Sequence, residues 1–497
     1  MTESRADVVT REDLVTFVNA AFSSTGQRDF YGDAHGQRVA LSFLHEYVRG
    51  NYRRLYARTL AAGVNHFNTV EIIKGLLSSG ADLDRRDVVV AREEDALIAA
   101  ALRALPPQRA LSCLTALARA RVNNRRTRAI VKAYLRSRRD QAFDAVKYRA
   151  KIRALTVHAH LRFDDDDERR SFLFRGWQKQ QYVTPLFETF RAAHYADDAL
   201  YALPYSIAEG LAMRRRVPRD VFLKNIAPMM TQHEKLRLQE TAAREGVVVE
   251  VDLHKASLTK LALYALSLDL EERARRHDEL TAALDGAARR AWQRQPFDLD
   301  RTALVLDRSY SSSGSSERRR RPLGVALAIA ALTRVASRTT HVVWTTPVDD
   351  ELLVTPRGQT ALARPLLDAL DSGADLVIIV SDGVENDPAG AANEIVRVWR
   401  AKVAPKNAAM IVHLNPVFSA ADHAPVALGD DIVTIGVRDA EDLPTALGFA
   451  RVAAGKASLE ELHGWLDARV AAFIASAPTT MTTTMTTTTT SEATEAR

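Results

Sequence analysis

A short series of oxygen-bearing side chains follows the apolar run at 304–306. Asp307, Ser309 and Ser311 occupy alternate positions, and each carries a short side chain that ends in oxygen. A carboxylate and two hydroxyls can supply part of the octahedral oxygen shell of Mg²⁺, at about 2.0–2.1 Å, and leave positions for water or a partner. Serine-rich loops are common, so these three residues alone are weak evidence for a metal site, and a flexible spacer is the alternative.

Two more oxygen-bearing side chains lie at comparable places in the chain. Thr360 opens a helical segment, ALARPLLDAL, and Asp382 comes just after the apolar run LVIIV at 376–380. Open parallel α/β sheets bind ligands beyond the carboxyl ends of their strands, so residues that follow such strands are candidates for binding. Three separate loops of this chain therefore offer oxygen ligands.

The order D-x-S-x-S, then a threonine, then an aspartate after a buried strand resembles the metal-ion-dependent adhesion site of von Willebrand factor A domains. The resemblance implies that Mg²⁺ or another divalent cation is held by Asp307, Ser309, Ser311, Thr360 and Asp382. The alternative is a Rossmann-like domain whose loops are merely polar. Arg308 and the arginine run 318–321 lie beside the proposed ligands, and their charge is expected to weaken cation affinity by repulsion.

Aliphatic runs suited to buried strands recur through the C-terminal part of the chain. They lie at 304–306, 341–344, 376–380, 409–414 and 432–437, with helical patterns between them. Continuous apolar runs are typical of strands buried on both faces, and their alternation with helices indicates βαβ units. The pattern predicts a doubly wound α/β domain over 298–476, and the resemblance of its loops implies that this domain is of the von Willebrand A type.

The part of the chain before Pro296 shows almost no strand-like alternation. Its apolar positions recur with helical spacing, in segments separated by polar residues, glycine or proline. This pattern predicts an α-helical, HEAT-like repeat array over 28–297, because such helices bury their apolar stripes only against neighbours. A compact helical bundle is the alternative, and the sequence leaves open whether an array closes into a ring. Residues 1–27 are assigned as an N-terminal extension, and the Thr-rich tail at 477–497 is predicted to be disordered.

One segment of the helical part carries nearly single-signed charge. Between 121 and 153, only two acidic residues, Asp140 and Asp144, oppose the many arginines and lysines. Such a surface repels itself unless a polyanion is bound, so it is interpreted as a phosphate-binding surface for RNA. A merely solvated basic surface is the alternative. The candidate RNA-binding residues are Arg121, Arg125, Arg126, Arg128, Lys132, Arg136, Lys147, Arg149, Lys151 and Arg153.

Composition limits the class of protein. The 497 residues include 68 basic and 62 acidic side chains, a net charge of +6, so the distribution of charge matters more than its total. Cys113 is the only cysteine, which excludes an intrachain disulfide framework and a CxxC metal site. The start of the chain lacks the pattern of a secretory signal, and the apolar run 323–335 is shorter than a membrane span. A monomeric, cytoplasmic protein with no membrane partner is predicted.

The combination of these features resembles the TROVE/Ro ribonucleoprotein family. The resemblance rests on the helical array, on the phrase FDAVKYRAKIRALTVHAHLR at 143–162, on TQHEKLRLQ and VDLHKASLTKLALYAL near the end of the array, and on the C-terminal A domain. It covers about 28–475. It implies a ring of HEAT-like repeats closed by the A domain, small structured Y-like RNAs on a basic outer surface, and ends of misfolded RNAs threading the central hole.

Two functions compete at this stage. The first is an RNA-binding scaffold that is not an enzyme, because no Ser–His–Asp order, phosphate loop or catalytic carboxylate pair stands out. Its metal would capture a partner protein. The second is a protein-only adaptor, whose A domain binds a partner such as an AAA-type ATPase through the metal. A metal-dependent nuclease is disfavoured, because two-metal sites need a cluster of carboxylates and only Asp307 and Asp382 are offered.

Overall fold

The structure of the protein is a computed structural model. It describes residues 4–28, 33–83, 87–163, 168–178, 181–247, 249, 251–293, 298–404, 409–453 and 458–476. The predicted Thr-rich tail at 477–497 lies outside these described residues. Among the described residues, none of the helices combines the length and the apolar character that crossing a membrane requires.

The part of the chain before residue 294 is helical wherever the structure describes regular secondary structure. Side-chain caps set many of the helix starts; Asn124, for example, accepts a hydrogen bond of 2.8 Å from the backbone N–H of Thr127. The helices are α1 (Arg5–Ser23), α2 (Ala34–Asn51), α3 (Arg53–Arg58), α4 (His66–Ser78), α5 (Val88–Ala104), α6 (Pro107–Arg119), α7 (Arg125–Arg136), α8 (Gln141–Lys147), α9 (Arg149–His158), α10 (Glu168–Arg175), α11 (Pro185–Ala192), α12 (Asp197–Leu200), α13 (Tyr205–Arg215), α14 (Arg219–Ile226), α15 (Gln232–Arg244), α16 (Leu258–Ser267), α17 (Leu270–Arg275) and α18 (His277–Trp292).

The C-terminal part forms a parallel sheet of five strands in the described residues, with helices on both faces. The strand order is β2-β1-β3-β4-β5. Together the two parts confirm the predicted fold class, a helical array followed by a doubly wound α/β domain. The elements are β1 (Leu299–Leu306), α19 (Arg321–Ala336), β2 (Ser337–Trp344), α20 (Ala363–Asp371), β3 (Leu376–Val380), α21 (Ala391–Val398), β4 (Met410–Asn415), β5 (Val433–Gly436), α22 (Leu443–Ala453) and α23 (Leu459–Ala475).

Alternate residues of the central strands enter two different cores. Leu304 and Leu306 of β1 belong to the core that includes α19, whereas Ala303 and Val305 belong to the core beneath α20 and α21. Both faces of the strand are therefore buried, which is why the sequence shows an unbroken aliphatic run. The edge strand β2 begins at Ser337, whereas the sequence predicted a start at 341. The prediction began too late because the first residues of the strand are polar and mostly exposed and so form no apolar run.

The helical array and the sheet share one continuous core. Helix α19 packs on the sheet and also against α16 and α18, the last long helices of the array. Its Gly324 lies so close to α16 that an added Cβ would sit 2.5 Å from Leu263 Cδ2. The array and the α/β domain are therefore joined by buried apolar surface over a broad contact.

The first helix of the chain contacts the opposite edge of the same sheet. Asn19 of α1 donates from Nδ2 to the carbonyl of Thr434 at 3.1 Å, and α1 packs on β5 and α23. Residues 1–27, assigned from the sequence as an extension, thus contain a helix docked on the α/β domain. Since α1 is the first helix of the chain and α18 the last helix before the sheet, the helical part contacts the α/β domain at both of its ends.

The contact between α1 and β5 generates a stability prediction. An added Cβ at Gly436 would lie 2.4 Å from the Asn19 carbonyl oxygen, so Gly436→Ala must displace backbone and is expected to lower the free energy of unfolding by about 1–3 kcal/mol. Gly464→Ala is the matched control, because Gly464 lies in α23 with no atom near its added Cβ. The control is expected to stabilise by up to about 1 kcal/mol. Chemical denaturation measures both, and equal stability of the two variants would contradict the close approach.

Candidate metal centre and nucleic-acid interface

The first candidate site lies at the carboxyl edge of the sheet, where β1 and β3 are neighbours. Leu306 pairs with Val380 at the ends of these strands, so Asp307 and Asp382 follow at the same edge. The backbone N–H of Asp307 donates to the carbonyl of Val380 at 2.9 Å, which continues the strand pairing by one residue. Adjacency of the two strands, and not of the two residues in sequence, therefore brings the carboxylates together.

Hydrogen bonds join the predicted ligands of the first loop. Ser309 donates from Oγ to Asp307 Oδ2 at 2.9 Å, and its hydroxyl lies 3.0 Å from that of Ser311. The backbone N–H of Ser309 donates to Asp307 Oδ1 at 2.8 Å. Ser311 in turn lies close enough to Asp382 to lower the pKa of that carboxyl, although burial raises it overall. The structure thus brings four of the five predicted ligands into one cluster.

The fifth predicted ligand reaches this edge on a separate loop. Thr360 is buried, its backbone N–H donates to Asn386 Oδ1 at 3.0 Å, and its carbonyl accepts from the N–H of Asn386 at 3.4 Å. The N–H of Tyr310 donates to the carbonyl of Gly358 at 3.0 Å. These bonds tie the loop of Thr360 to both other loops of the candidate site. As metal ligands, the five residues stay a prediction.

The electrostatics of the cluster fit a bound divalent cation. Burial, and next the nearby charge of Asp382, raises the pKa of Asp307 to about 7, although hydrogen bonds from Ser309 and Thr345 oppose the rise. Asp382 accepts from the N–H of Val384 through Oδ1, but its buried Oδ2 has no hydrogen-bond partner among the residues the structure describes. A cation would supply the missing partner and neutralise both carboxylates. Hard oxygen donors of this kind suit Mg²⁺.

Arg308 is bonded away from the carboxylates. Its guanidinium donates to the carbonyls of Thr355 and Pro347, each at 3.1 Å, and the side chain is largely buried. Burial lowers the pKa of Arg308, followed by repulsion from Arg357. The described contacts therefore give Arg308 a structural role in joining the loops around the site.

Two fully buried polar residues of β4 support the candidate site and were missed by the sequence analysis. Asn415 donates from Nδ2 to the carbonyl of Asp382 at 2.9 Å, and His413 Nε2 lies 2.9 Å from the hydroxyl of Ser381. Burial lowers the pKa of His413 to about 4, so its ring is neutral. Both residues hold the turn that carries Asp382. The available signal was a histidine and an asparagine inside the apolar run IVHLN.

The second candidate site is the basic face of α7. Thr127, Val131, Tyr134 and Leu135 turn into the core, which leaves the cations on the outside. Arg125 and Arg136 are exposed, and Arg128 and Lys132 are partly exposed. Among the described residues, none of these four cations has an acidic partner. We call Arg125, Arg128, Lys132 and Arg136 the α7 stripe.

The remaining candidate RNA-binding residues divide into two groups. Arg121 and Arg153 are exposed, like the α7 stripe. Four others make internal contacts: Arg126 is ion-paired with Glu94 and Asp95, Lys147 lies 4.0 Å from Glu234, Lys151 donates to Ser112 Oγ at 2.7 Å, and Arg149 donates to the carbonyl of Phe172 at 3.0 Å. The ten residues therefore do not form one surface. Which of them contact RNA stays a prediction.

A cavity of about 230 Å³ lies at the end of the α7 stripe. Arg136, Arg162 and Arg169 contribute to its lining, together with Arg138, which is paired with Asp144 at 2.6 Å. The cavity extends the cationic surface beyond α7 toward α9 and α10. Its charge suits an anionic ligand such as a phosphate.

Comparisons with known proteins establish no family for this chain. No protein-family model matches the sequence, and no curated protein matches it. Among solved structures, the chain is similar to the crystal structure of the Deinococcus radiodurans RO (RSR) protein, with 17% sequence identity and a TM-score of 0.46. That likeness covers 90% of this chain and 100% of the other. Values this low carry no conclusion about function, which therefore depends on the two sites.

The paired carboxylates generate a prediction about metal-dependent stability. In the presence of a chelator, Asp307→Asn is expected to be more stable than the wild type, because it removes one of two buried like charges. With millimolar Mg²⁺ the order is expected to reverse, since only the wild type gains binding energy. Thermal unfolding in both buffers measures this.

Asp375→Asn is the matched control for that experiment. Asp375 is exposed and paired with Arg301 at 2.9 Å, so its loss is expected to change stability by less than about 1 kcal/mol. Its response to Mg²⁺ should equal that of the wild type. A wild-type protein whose unfolding is unchanged by Mg²⁺, Mn²⁺ and Ca²⁺ would contradict the candidate metal site.

Proposed function

We propose that this chain is an RNA-binding scaffold of the Ro type. In this proposal the helical array holds small structured, Y-like or misfolded RNAs on its basic surface, and the α/β domain binds Mg²⁺ and contacts a partner protein. The observation that carries the RNA part is the α7 stripe, whose four cations lack acidic partners among the described residues. The sequence resemblance to the TROVE/Ro family points in the same direction.

The geometry of the α7 stripe suits a phosphate backbone. Its members follow at intervals of three and four residues, so they lie along one face of the helix and span about 16 Å from Arg125 to Arg136. Double-stranded RNA is recognised mainly through its shape, its phosphates and its 2′-hydroxyls. Binding of this kind releases counterions and weakens as salt rises. The stripe is therefore proposed to give affinity without reading sequence.

The metal site is proposed to serve recognition and not catalysis. Asp307, Ser309, Ser311, Thr360 and Asp382 would hold the cation, and Mg²⁺ bound there supplies a coordination position that a carboxylate of a partner can fill. Hydrolytic two-metal sites hold their ions about 3.5–4 Å apart between several carboxylates. Among the described residues no group of three or more His, Cys, Asp or Glu side chains is placed to hold a metal. We therefore assign no bond-breaking step to this edge of the sheet.

The RNA-binding surface is tested by reversing its charge. The fourfold substitution of Arg125, Arg128, Lys132 and Arg136 by Glu is expected to abolish binding of a small structured RNA, because repulsion replaces counterion release. The same four residues changed to Ala should lower the slope of log affinity against log salt by about four. Mobility shifts at several salt concentrations measure both effects.

A matched control separates the surface from net charge. Lys224, Arg289, Arg364 and Arg451 are exposed cations elsewhere on the chain, without acidic partners among the residues described, and their change to Glu alters net charge equally. The control is expected to keep most of the RNA affinity. Equal loss in both variants would show that only overall charge matters, and unchanged binding in the first would favour the protein-only adaptor.

The role of the metal is tested by separating partner capture from RNA binding. Asp307→Ala is expected to abolish divalent-dependent capture of a partner protein from the native host while leaving RNA affinity within about twofold, because the α7 stripe lies in the helical array and not at the sheet edge. Affinity purification in Mg²⁺ and in chelator, followed by protein and RNA sequencing of the eluates, measures both. Release of the RNA by this variant would reverse the assigned roles.

A further inference from the structure

Exposed aromatic side chains cluster on a part of the helical array outside α7. Trp177, in the short 3-10 turn Gly176–Gln178 after α10, is 39% exposed, and Tyr195, just after α11, is 65% exposed. Phe174 nearby is 44% exposed. Large apolar rings gathered on a surface are a common mark of a binding site. We call Trp177, His194 and Tyr195 the aromatic platform.

The rings of the platform are held by direct contacts. The imidazole of His194 stacks on Trp177, with centroids 5.2 Å apart and an interplanar angle of 18°. The ring of Tyr195 meets Trp177 edge-on, at 6.1 Å and 76°. His194 also packs against the largely buried ring of Phe190 at 4.8 Å. The exposed rings thus rest on the buried apolar cluster that includes Phe172, Phe187 and Phe190, and this contact fixes their orientation before any ligand binds.

The protonation of His194 suits this stacked arrangement. Its Nδ1 lies 2.9 Å from the carbonyl of Phe190, which can only accept, so Nδ1 carries the hydrogen. Burial lowers the pKa of His194, although that hydrogen bond opposes the change, and repulsion from Arg214, Arg215 and Arg149 lowers it further. The ring is therefore neutral at neutral pH. A neutral ring on Trp177 keeps the platform uncharged between the surrounding arginines.

The turn that carries Trp177 is supported from within the fold. Gly176 has a φ of +59°, and an added Cβ would lie 2.7 Å from the guanidinium carbon of Arg149. Arg149 also donates to the carbonyl of Phe172 at 3.0 Å and is partly buried. Arg149, a candidate RNA-binding residue by sequence, therefore positions the platform from beneath. The left-handed backbone at 176 favours glycine.

Cations without acidic partners in the described part of the chain lie on elements that carry or contact the platform. Arg175, which precedes the turn, and Arg214, whose charge reaches His194, are exposed and have no acidic partner in the described part of the chain. Arg153 is likewise exposed, one turn from Arg149 on α9. Arg191 lies over the ring of Tyr195 at 5.9 Å but is paired with Glu188. Of the acids that follow Tyr195, Asp197 is paired with Arg215, and Asp198 is exposed. The exposed cations Arg153, Arg175 and Arg214 therefore outnumber Asp198, which favours an anionic ligand.

We infer that the aromatic platform is a stacking site for unpaired bases of single-stranded RNA, with Arg153, Arg175 and Arg214 contacting the flanking phosphates. Bases stack on Trp and Tyr faces without regard to sequence, and nearby arginines follow the backbone. The α7 stripe offers cations but no exposed aromatic ring on α7, so it suits paired RNA, whose bases are not accessible. The inference rests on the proposed function and adds a second, single-strand-specific contact to it.

The experiment compares two labelled probes, an oligouridine of about 12 nucleotides and a blunt RNA duplex of the same length. Trp177→Ala and Tyr195→Ala are each expected to weaken oligouridine binding about tenfold, since each removes a stacking face. Duplex binding should stay within twofold. Phe43→Ala is the matched control, because Phe43 is an aromatic residue of α2, 56% exposed and remote in sequence from the platform. It should change neither affinity.

A spectroscopic readout separates stacking from a structural role of Trp177. Oligouridine is expected to quench the tryptophan fluorescence of the wild type, and Trp177→Phe should remove that quenching while retaining most of the affinity. Of the other four tryptophans, Trp292 and Trp344 are buried and Trp399 and Trp465 are partly buried. The emission that remains in Trp177→Phe measures their combined response, which is expected to be unchanged by the probe. Melting temperatures of all variants are compared with that of the wild type.

The outcomes distinguish the inference from the proposed function. Wild-type protein that binds neither probe overturns the proposed function, and the inference with it. Wild type that binds both probes, with oligouridine affinity unchanged in Trp177→Ala and Tyr195→Ala, overturns the platform alone. Equal loss of oligouridine and duplex affinity in these variants also overturns the platform, because it would show that the two rings support the fold and do not stack on unpaired bases.

Discussion

Two like-charged carboxylates, Asp307 and Asp382, are buried side by side at one edge of a parallel sheet, and this constraint governs the α/β domain around them. Removing a carboxylate from water costs several kcal/mol unless a counter-charge or hydrogen bonds compensate. Here the hydroxyls of Ser309 and Thr345 satisfy Asp307, whereas one oxygen of Asp382 has no partner among the described residues. That oxygen is the observation behind the proposed divalent cation.

The surrounding structure keeps this pair from relaxing apart. Asn415 and His413, both fully buried on β4, hold the turn after β3, and backbone bonds join the loop of Tyr310 to that of Gly358. The first loop leads directly into α19, which packs on both the sheet and the helical array. The site is therefore positioned by rigid elements, and the proposed partner surface has a defined place relative to the helical array.

In the helical array, by contrast, the proposed function depends on cations that have no acidic partner in the described part of the chain. In the basic segment, Arg126 and Arg138 are neutralised by buried or partly buried acids, whereas the cations of the α7 stripe have no such partner in the described residues. The aromatic platform adds apolar ring surface to the same class of cationic environment. Phosphate contacts and base stacking are different interactions, so the two surfaces need not bind the same part of an RNA.

The sequence by itself determined the fold class and the cluster of candidate metal ligands. Its signals were local: aliphatic runs such as 376–380 for buried strands, helical spacing before 294, and oxygen-bearing residues just after strands. The edge strand β2 was predicted too short because its first residues are polar and mostly exposed. Polar residues at an edge leave no apolar run to detect.

Only the tertiary structure decided which side chains are exposed and unpaired enough to contact a ligand, and which are used inside the fold. Arg125 and Arg126 are neighbours in sequence, yet Arg126 pairs with Glu94 from another helix while Arg125 is exposed. Trp177 and His194 meet across a turn and a helix, and Asn415 reaches Asp382 from a different strand. The physical reason is the same in each case. Burial and pairing depend on residues distant in the chain, and helical or strand periodicity carries no information about which distant residue will be the neighbour.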